Sequence, residues 1–174
     1  MRITNKIILI FCLVSQATFA SVKETSGDVL LLAMPLTAMG ISYLNDDYAG
    51  MKEFAFAMSG TALTTLALKS TVNKERPDGD GNDSFPSGHT AVTFSSASYL
   101  GQRYGWQYGL PAYTLATWTA YTRVDAKRHD VDDVIAGAAI AYAFSYFLVT
   151  PNADFAIAPV ATKDQIGVVA YFTF

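Results

Sequence analysis

The chain has 174 residues, of which 51% are apolar, and its formal net charge at pH 7 is −3. This length suits one domain with a hydrophobic core and is too short for two domains of ordinary size. An acidic chain without a basic run is not typical of nucleic-acid-binding proteins, so no nucleic-acid partner is expected. The mean hydropathy of +0.24 is compatible with both a membrane protein and a soluble one.

The first twenty residues have the pattern of a secretory signal peptide. Arg2 and Lys6 form a basic start, residues 7–14 are apolar, and residues 18–20 offer a cleavage site. We predict that this segment is removed and that residues 21–174 form a single mature domain. The alternative is an uncleaved first helix, although the apolar run is short for a membrane span of about 20 residues. Both alternatives predict export.

Apolar segments with helical spacing follow, separated by polar or Gly/Pro-containing breaks. They predict an all-α bundle of five helices, or of six if the N-terminal segment is retained, over residues 28–45, 52–70, 88–103, 109–123 and 133–149. These lengths are near the lower limit for a membrane span and equally suit buried helices. The tail, residues 151–174, contains two short alternating runs that predict a β-hairpin, at residues 155–160 and 167–174.

The first cluster of candidate functional residues lies at the end of the second segment. Lys69 precedes Arg76 and Pro77 by about two helical turns, so both cations can project from one side of a helix end. Arginine offers a planar fork for two phosphate oxygens, and lysine supplies a compact charge. Taken alone, the pair is better explained as a solvated basic helix end.

The second cluster, residues 86–89, opens the third segment with the sequence Pro-Ser-Gly-His. Ser87 is placed to cap the helix, Gly88 lets a ligand approach the backbone, and the free amides of a helix start attract anions. His89 can donate a proton near neutral pH. A capped helix with a surface histidine is again the simpler explanation when the cluster is considered alone.

The third cluster consists of Arg123, His129 and Asp133. Histidine and aspartate four residues apart share one face of a helix, so the carboxylate can orient the imidazole as a nucleophile. Asp133 also suits the first turn of a helix for capping alone. The three clusters together contain both histidines of the chain, three cations and a helix start. This combination predicts a phosphoryl-transfer site.

The order of these residues resembles a motif shared by type 2 phosphatidic acid phosphatases (PAP2), bacterial non-specific acid phosphatases and vanadium haloperoxidases. The matching segments are Lys69-x6-Arg76-Pro77, Pro86-Ser87-Gly88-His89 and Arg123-x5-His129-x3-Asp133. Thr122 stands where the family usually has a serine, and it keeps the hydroxyl group.

The resemblance also implies a role for each matched residue. His129 would attack phosphorus to form a phosphohistidine, Asp133 would orient it, and His89 would protonate the leaving alkoxide and then help to activate water. The remaining matched residues would hold the phosphate oxygens: Lys69, Arg76, Ser87, Gly88 and Arg123.

The leading functional hypothesis is a phosphatase that hydrolyses a lipid phosphate or pyrophosphate in a bacterial inner membrane, with its active site facing the periplasm. The alternative is a soluble periplasmic acid phosphatase that acts on small phosphomonoesters, and release by osmotic shock without detergent would favour it. A vanadium haloperoxidase and a non-catalytic membrane protein that kept the fold are further alternatives.

We predict that no metal or other cofactor is needed, because cationic side chains neutralise the phosphate charge. The only cysteine, Cys12, lies in the predicted signal peptide. EDTA should therefore leave phosphate release unchanged. Vanadate adopts the five-coordinate geometry of the transition state and should inhibit. An assay of inorganic phosphate checks both expectations, and activity that disappears in EDTA and returns with a divalent ion would contradict the first.

Overall fold

The computed structural model describes the backbone of residues 3–152, 155–161 and 166–172 and the side chains of residues 22–152. The helices in this part of the chain are α1 (Ile3–Leu44), α2 (Tyr48–Thr71), α3 (Gly88–Tyr104), α4 (Trp106–Asp125) and α5 (Val131–Leu148). The predicted all-α bundle is confirmed. Every end of α2 to α5 lies within four residues of its predicted position.

α1 is longer than the sequence pattern suggests. From Ile3 onward, the segment predicted to be a signal peptide forms the first part of α1 and not a separate sixth helix. The polar residues that interrupt the apolar pattern remain helical and contact α4. Lys23 Nζ lies 3.2 Å from Asp125 Oδ2, and the Glu24 carbonyl accepts a hydrogen bond from Arg123. Cleavage after Ala20 would cut within α1, and it stays a prediction.

α3 is the central helix and packs against each of the other four. Its buried positions carry mainly small or hydroxylated side chains, including Ala91, Thr93 and Ser95. Such residues let neighbouring helices approach closely. At the closest approach to α4, a Cβ atom on Gly109 would lie only 2.7 Å from the Cα of Gly101.

A buried ion pair holds the far end of α3. Arg103 donates from Nε and Nη2 to the two carboxylate oxygens of Asp47, at 2.7 and 2.5 Å. Hydrogen bonds from this guanidinium hold the pKa of Asp47 at about 2, although burial opposes the charged form. Arg103 Nη1 also donates to the Thr150 carbonyl at 2.8 Å. The pair therefore ties the α1–α2 turn to the ends of α3 and α5.

The C-terminal tail forms the predicted hairpin. Strands β1 (Phe155–Ala161) and β2 (Ile166–Phe172) pair antiparallel, with Phe155 opposite Phe172.

Two stretches of helix in the described part of the chain are long and apolar enough to cross a membrane, Val22–Leu44 in α1 and Val131–Leu148 in α5. Most of each stretch is not buried by other helices. Leu36 and Phe147, for example, are 71% and 80% exposed. These apolar surfaces are consistent with membrane association.

The glycine contact between α3 and α4 yields a stability prediction. Gly109→Ala should destabilise the bundle by about 1–3 kcal/mol, because the added methyl group would overlap backbone atoms of α3. Gly40→Ala is the matched control, since a Cβ at that helical position meets nothing within 4 Å. Thermal unfolding of the detergent-solubilised variants checks this, and equal midpoints for both would contradict the close packing.

Candidate active site

His129 lies in the turn before α5, and only 5% of its surface is exposed. Its Nδ1 atom is 2.8 Å from the backbone carbonyl of Ser84. A carbonyl oxygen can only accept, so Nδ1 carries the proton and Nε2 keeps its lone pair in the neutral ring. Burial, followed by the charge of Lys69, lowers the pKa of His129 to about 4. The imidazole is therefore neutral at pH 7, as a nucleophile must be.

Asp133 is fully buried and reaches His129 through Ser84. α5 begins at Val131, with Asp130 as its N-cap. His129 therefore precedes the helix, and the prediction that it shares a helical face with Asp133 is wrong. The Asp133 Oδ2 atom lies 3.7 Å from His129 Nδ1, too far for a hydrogen bond. It accepts instead from the Ser84 hydroxyl at 2.5 Å and from the Asp130 amide at 2.9 Å.

Ser84 was not among the residues singled out from the sequence. It is fully buried, and it joins the two groups because its hydroxyl donates to Asp133 while its carbonyl accepts from His129. No motif pointed to it, since a backbone carbonyl is present at every position of a chain.

Lys74 was also missed, and it pairs with an acidic cluster at the start of α5. Its Nζ atom lies 2.8 Å from Asp132 and Asp133 and 3.0 Å from Asp130. Desolvation opposes the charged ammonium, but hydrogen bonds to the carboxylates outweigh it and raise the pKa of Lys74. These three carboxylates are close enough together to ligate a metal ion. In this structure all three contact the Lys74 ammonium group.

Lys69 and Arg76 meet at Asp83, in the loop between α2 and α3. Arg76 donates from Nε and Nη2 to the two carboxylate oxygens of Asp83, at 2.9 and 3.1 Å. Lys69 donates to the Asp83 carbonyl at 2.5 Å. The next residue, Ser84, accepts a hydrogen bond from His129, which places the first predicted cluster beside the third. The charges of both cations contribute to the lowered pKa of His129.

The start of α3 has the predicted cap and packs against α5. Ser87 is the N-cap, and its hydroxyl accepts from the Thr90 amide at 3.5 Å. The Ser87 amide donates to the Asp133 carbonyl at 3.0 Å. A Cβ on Gly137 of α5 would lie 2.6 Å from the Ser87 carbonyl oxygen, so only glycine permits this approach. The first turn of α3 is therefore fixed next to the turn that carries His129.

His89 and Arg123 meet at an aspartate that the sequence analysis did not single out. Oδ1 of Asp28, on α1, lies 2.9 Å from His89 Nε2 and 3.1 Å from Arg123 Nη1. Burial, followed by the charges of Arg123 and Lys69, lowers the pKa of His89. A Cβ on Gly88 would lie 3.9 Å from the Lys69 side chain, and the Ser87 amide donates to the Asp133 carbonyl. The three predicted clusters therefore converge at one end of the bundle.

A family model described as the PAP2 superfamily matches residues 74–154. A lipid A 4′-phosphatase of Helicobacter pylori is 34% identical, and the alignment covers 73% of this chain and 69% of the relative. The chain belongs to the PAP2 superfamily. Every predicted site residue except Lys69 lies within the PAP2 match. The prediction that the chain is a PAP2-type phosphatase is confirmed.

Two further comparisons agree with PAP2 membership. A lipid A 1-phosphatase of Porphyromonas gingivalis is 40% identical over 71% of this chain, but the alignment spans only 29% of that longer relative. The crystal structure of Aquifex aeolicus LpxE superposes with a TM-score of 0.65 at 21% identity, covering 80% of this chain and 92% of that one. The structural likeness supports the fold.

The contacts of Lys74 generate a prediction about the candidate site. Lys74→Met should lower the free energy of unfolding by about 1–3 kcal/mol, because the buried Asp133 carboxylate loses a hydrogen-bonded cation. Lys52→Met, at an exposed position on α2, is the matched control. Thermal unfolding at neutral pH provides the measurement. Equal stability of the two variants would mean that the Lys74 contacts contribute nothing measurable.

Proposed function

We propose that this PAP2 protein is a lipid phosphate phosphatase that removes a phosphate group from a lipid of the lipid A class. The observation that carries the proposal is the neutral, buried His129, whose Nδ1 proton is held by the Ser84 carbonyl. The preceding residue, Asp83, binds both Lys69 and Arg76. Two relatives named as lipid A phosphatases support the choice of substrate class.

In the first step, His129 Nε2 attacks phosphorus while the bond between phosphorus and the lipid oxygen breaks. His89 gives a proton to the departing oxygen, so the lipid leaves as an alcohol. The hydrogen bond from Nδ1 to the Ser84 carbonyl is retained and stabilises the positive ring that forms on phosphorylation. Asp133 supports this arrangement by accepting from the Ser84 hydroxyl.

In the second step, water attacks the phosphohistidine and the bond from nitrogen to phosphorus breaks. His89, now neutral, accepts a proton from that water. The products are inorganic phosphate and the original neutral His129.

Throughout both steps, the phosphate oxygens are held by groups that carry or concentrate positive charge. These groups are the side chains of Lys69, Arg76 and Arg123 and the backbone amide of Gly88 at the start of α3. The Ser87 amide is not among them, because it donates to the Asp133 carbonyl. A phosphate dianion would replace the carboxylate of Asp83 on the fork of Arg76.

We further propose a location at the outer face of a bacterial inner membrane. Asp28 near the start of the apolar stretch of α1 and the first turn of α5 both lie at the site, so both apolar stretches run away from it in the same direction. This arrangement supports a site at one membrane surface, where lipid headgroups are found. If residues 1–20 direct export, that end of α1 begins outside the membrane.

The test is phosphate release by the detergent-solubilised full chain from lipid A and from an aryl phosphate. Wild type should prefer the lipid and form an acid-labile phosphoenzyme. His129→Ala should lose the phosphoenzyme and roughly 10³-fold or more in rate, because no nucleophile remains. The exposed-site variant Lys52→Ala should match wild type.

Two outcomes would overturn parts of this proposal. Equal rates for wild type and His129→Ala would exclude His129 as the nucleophile. A clear preference for the aryl phosphate in the same detergent would exclude the lipid substrate and favour a general acid phosphatase.

A further inference from the structure

We propose that Asp28 is a positioning residue that holds His89 in the orientation and charge state needed for proton donation. The inference rests on the proposed function, in which His89 protonates the leaving oxygen. Asp28 lies outside the three motif clusters and comes from α1, which contributes none of the residues predicted from them.

The geometry of α1 fixes where this carboxylate lies. A Cβ on Gly27 would be 2.5 Å from Thr122 Oγ1 and 2.7 Å from Arg123 Nη2, so α1 lies directly against this end of α4. The Glu24 carbonyl accepts from Arg123 Nη2 at 2.7 Å, one helical turn before Asp28. α1 is therefore anchored on both sides of Gly27, and its next residue reaches His89 Nε2 at 2.9 Å.

The charges around His89 give Asp28 its chemical importance. Arg123 from α4 shares the Asp28 carboxylate oxygen with the ring. Burial, the charge of Arg123 and the charge of Lys69 from α2 lower the pKa of His89. Asp28 is the carboxylate that acts in the opposite direction, through a hydrogen bond and through its charge. Without Asp28, the two cations and the partly buried position would lower the pKa of His89 further and reduce the fraction of protonated ring. A neutral His89 bonded through one nitrogen has no acidic proton to give the leaving group efficiently.

The proton balance follows from the two ring nitrogens. In the protonated ring both nitrogens carry hydrogen, and the Nε2 proton is donated to Asp28. The Nδ1 proton moves to the lipid oxygen as its bond to phosphorus breaks, which leaves a neutral ring still bonded to Asp28. Nδ1 then accepts a proton from the attacking water and restores the cation. Asp28 keeps its hydrogen bond to Nε2 throughout and exchanges no proton.

A competing explanation comes from the same carboxylate oxygen. Asp28 Oδ1 also accepts from Arg123 Nη1 at 3.1 Å, so it occupies a position that a phosphate oxygen would otherwise take. If it only fills this position in the free protein, removing its charge would tighten phosphate and vanadate binding and leave proton donation unaffected.

The experiment measures kcat and KM against pH for wild type, Asp28→Asn and Asp125→Asn. Asp125 is the matched control, because it is an exposed carboxylate on α4 that pairs with Lys23 of α1 and contacts neither histidine. The full chain is assayed in detergent with a lipid phosphate and with an aryl phosphate, whose leaving group needs little protonation.

We expect Asp28→Asn to lower kcat on the lipid phosphate about tenfold, a fraction of the total effect of a general acid, with little change in KM. The high-pH limb of kcat should move to lower pH, because the lost negative charge lowers the pKa of His89. The loss should be smaller for the aryl phosphate. Asp125→Asn should behave as wild type, and Asp28→Glu, which keeps the charge, should keep the wild-type pH limb.

A double variant shows whether Asp28 acts through His89. In a His89→Ala background, Asp28→Asn should cause no further loss, because the group it supports is absent. Additive losses, or an unshifted pH limb with tighter vanadate inhibition, would overturn the proposal. If Asp28→Asn fails to fold, Asp28→Glu becomes the test, and a shifted high-pH limb of kcat in that variant would overturn the proposal. An inactive wild type, or full activity in His129→Ala, would instead overturn the proposed function itself.

Discussion

The buried hydrogen bond from His129 Nδ1 to the Ser84 carbonyl is the interaction on which the candidate site depends. It selects the tautomer of a ring that is otherwise free to carry its proton on either nitrogen, and it leaves Nε2 with a lone pair. The Ser84 hydroxyl donates a hydrogen bond to buried Asp133, so this carboxylate helps to hold the residue whose carbonyl binds His129. Lys74 balances the charge of that carboxylate from the loop that follows α2. A chain of contacts thus joins the α2–α3 loop, the turn before α5 and α5 itself.

The positive groups of the site are already paired with carboxylates in the free protein. Asp83 accepts from the fork of Arg76, and Asp28 accepts from Arg123 and His89. Such pairing holds the long side chains in place before a ligand arrives, which reduces the ordering needed on binding. A phosphate must compete with these internal anions, so a dianion should bind better than a monoanion. The site is therefore organised for a strongly charged group and not for a neutral ligand.

The helices that carry this site are held together at both ends of the bundle. Small and hydroxylated residues on α3 permit close packing, and the contact between Gly137 and the Ser87 carbonyl sets α5 against the first turn of α3. The ion pair between Arg103 and Asp47 closes the opposite end. The exposed apolar surfaces of α1 and α5 contribute little to this internal packing, which fits their proposed contact with lipid.

The sequence by itself determined the helices, the cap at Ser87 and the residue types of the site, because periodicity, capping and motif spacing are local properties of a chain. It did not reveal that α1 continues through its polar stretch, because polar residues interrupt the apolar pattern there and their contacts with α4 are not visible in the sequence. It also did not reveal Ser84, Lys74 or Asp28, whose partners lie 45, 59 and 61 residues away along the chain. Those contacts were decided by tertiary structure, because only the packing of α1, α3 and α5 at one end of the bundle brings such distant groups within hydrogen-bonding distance.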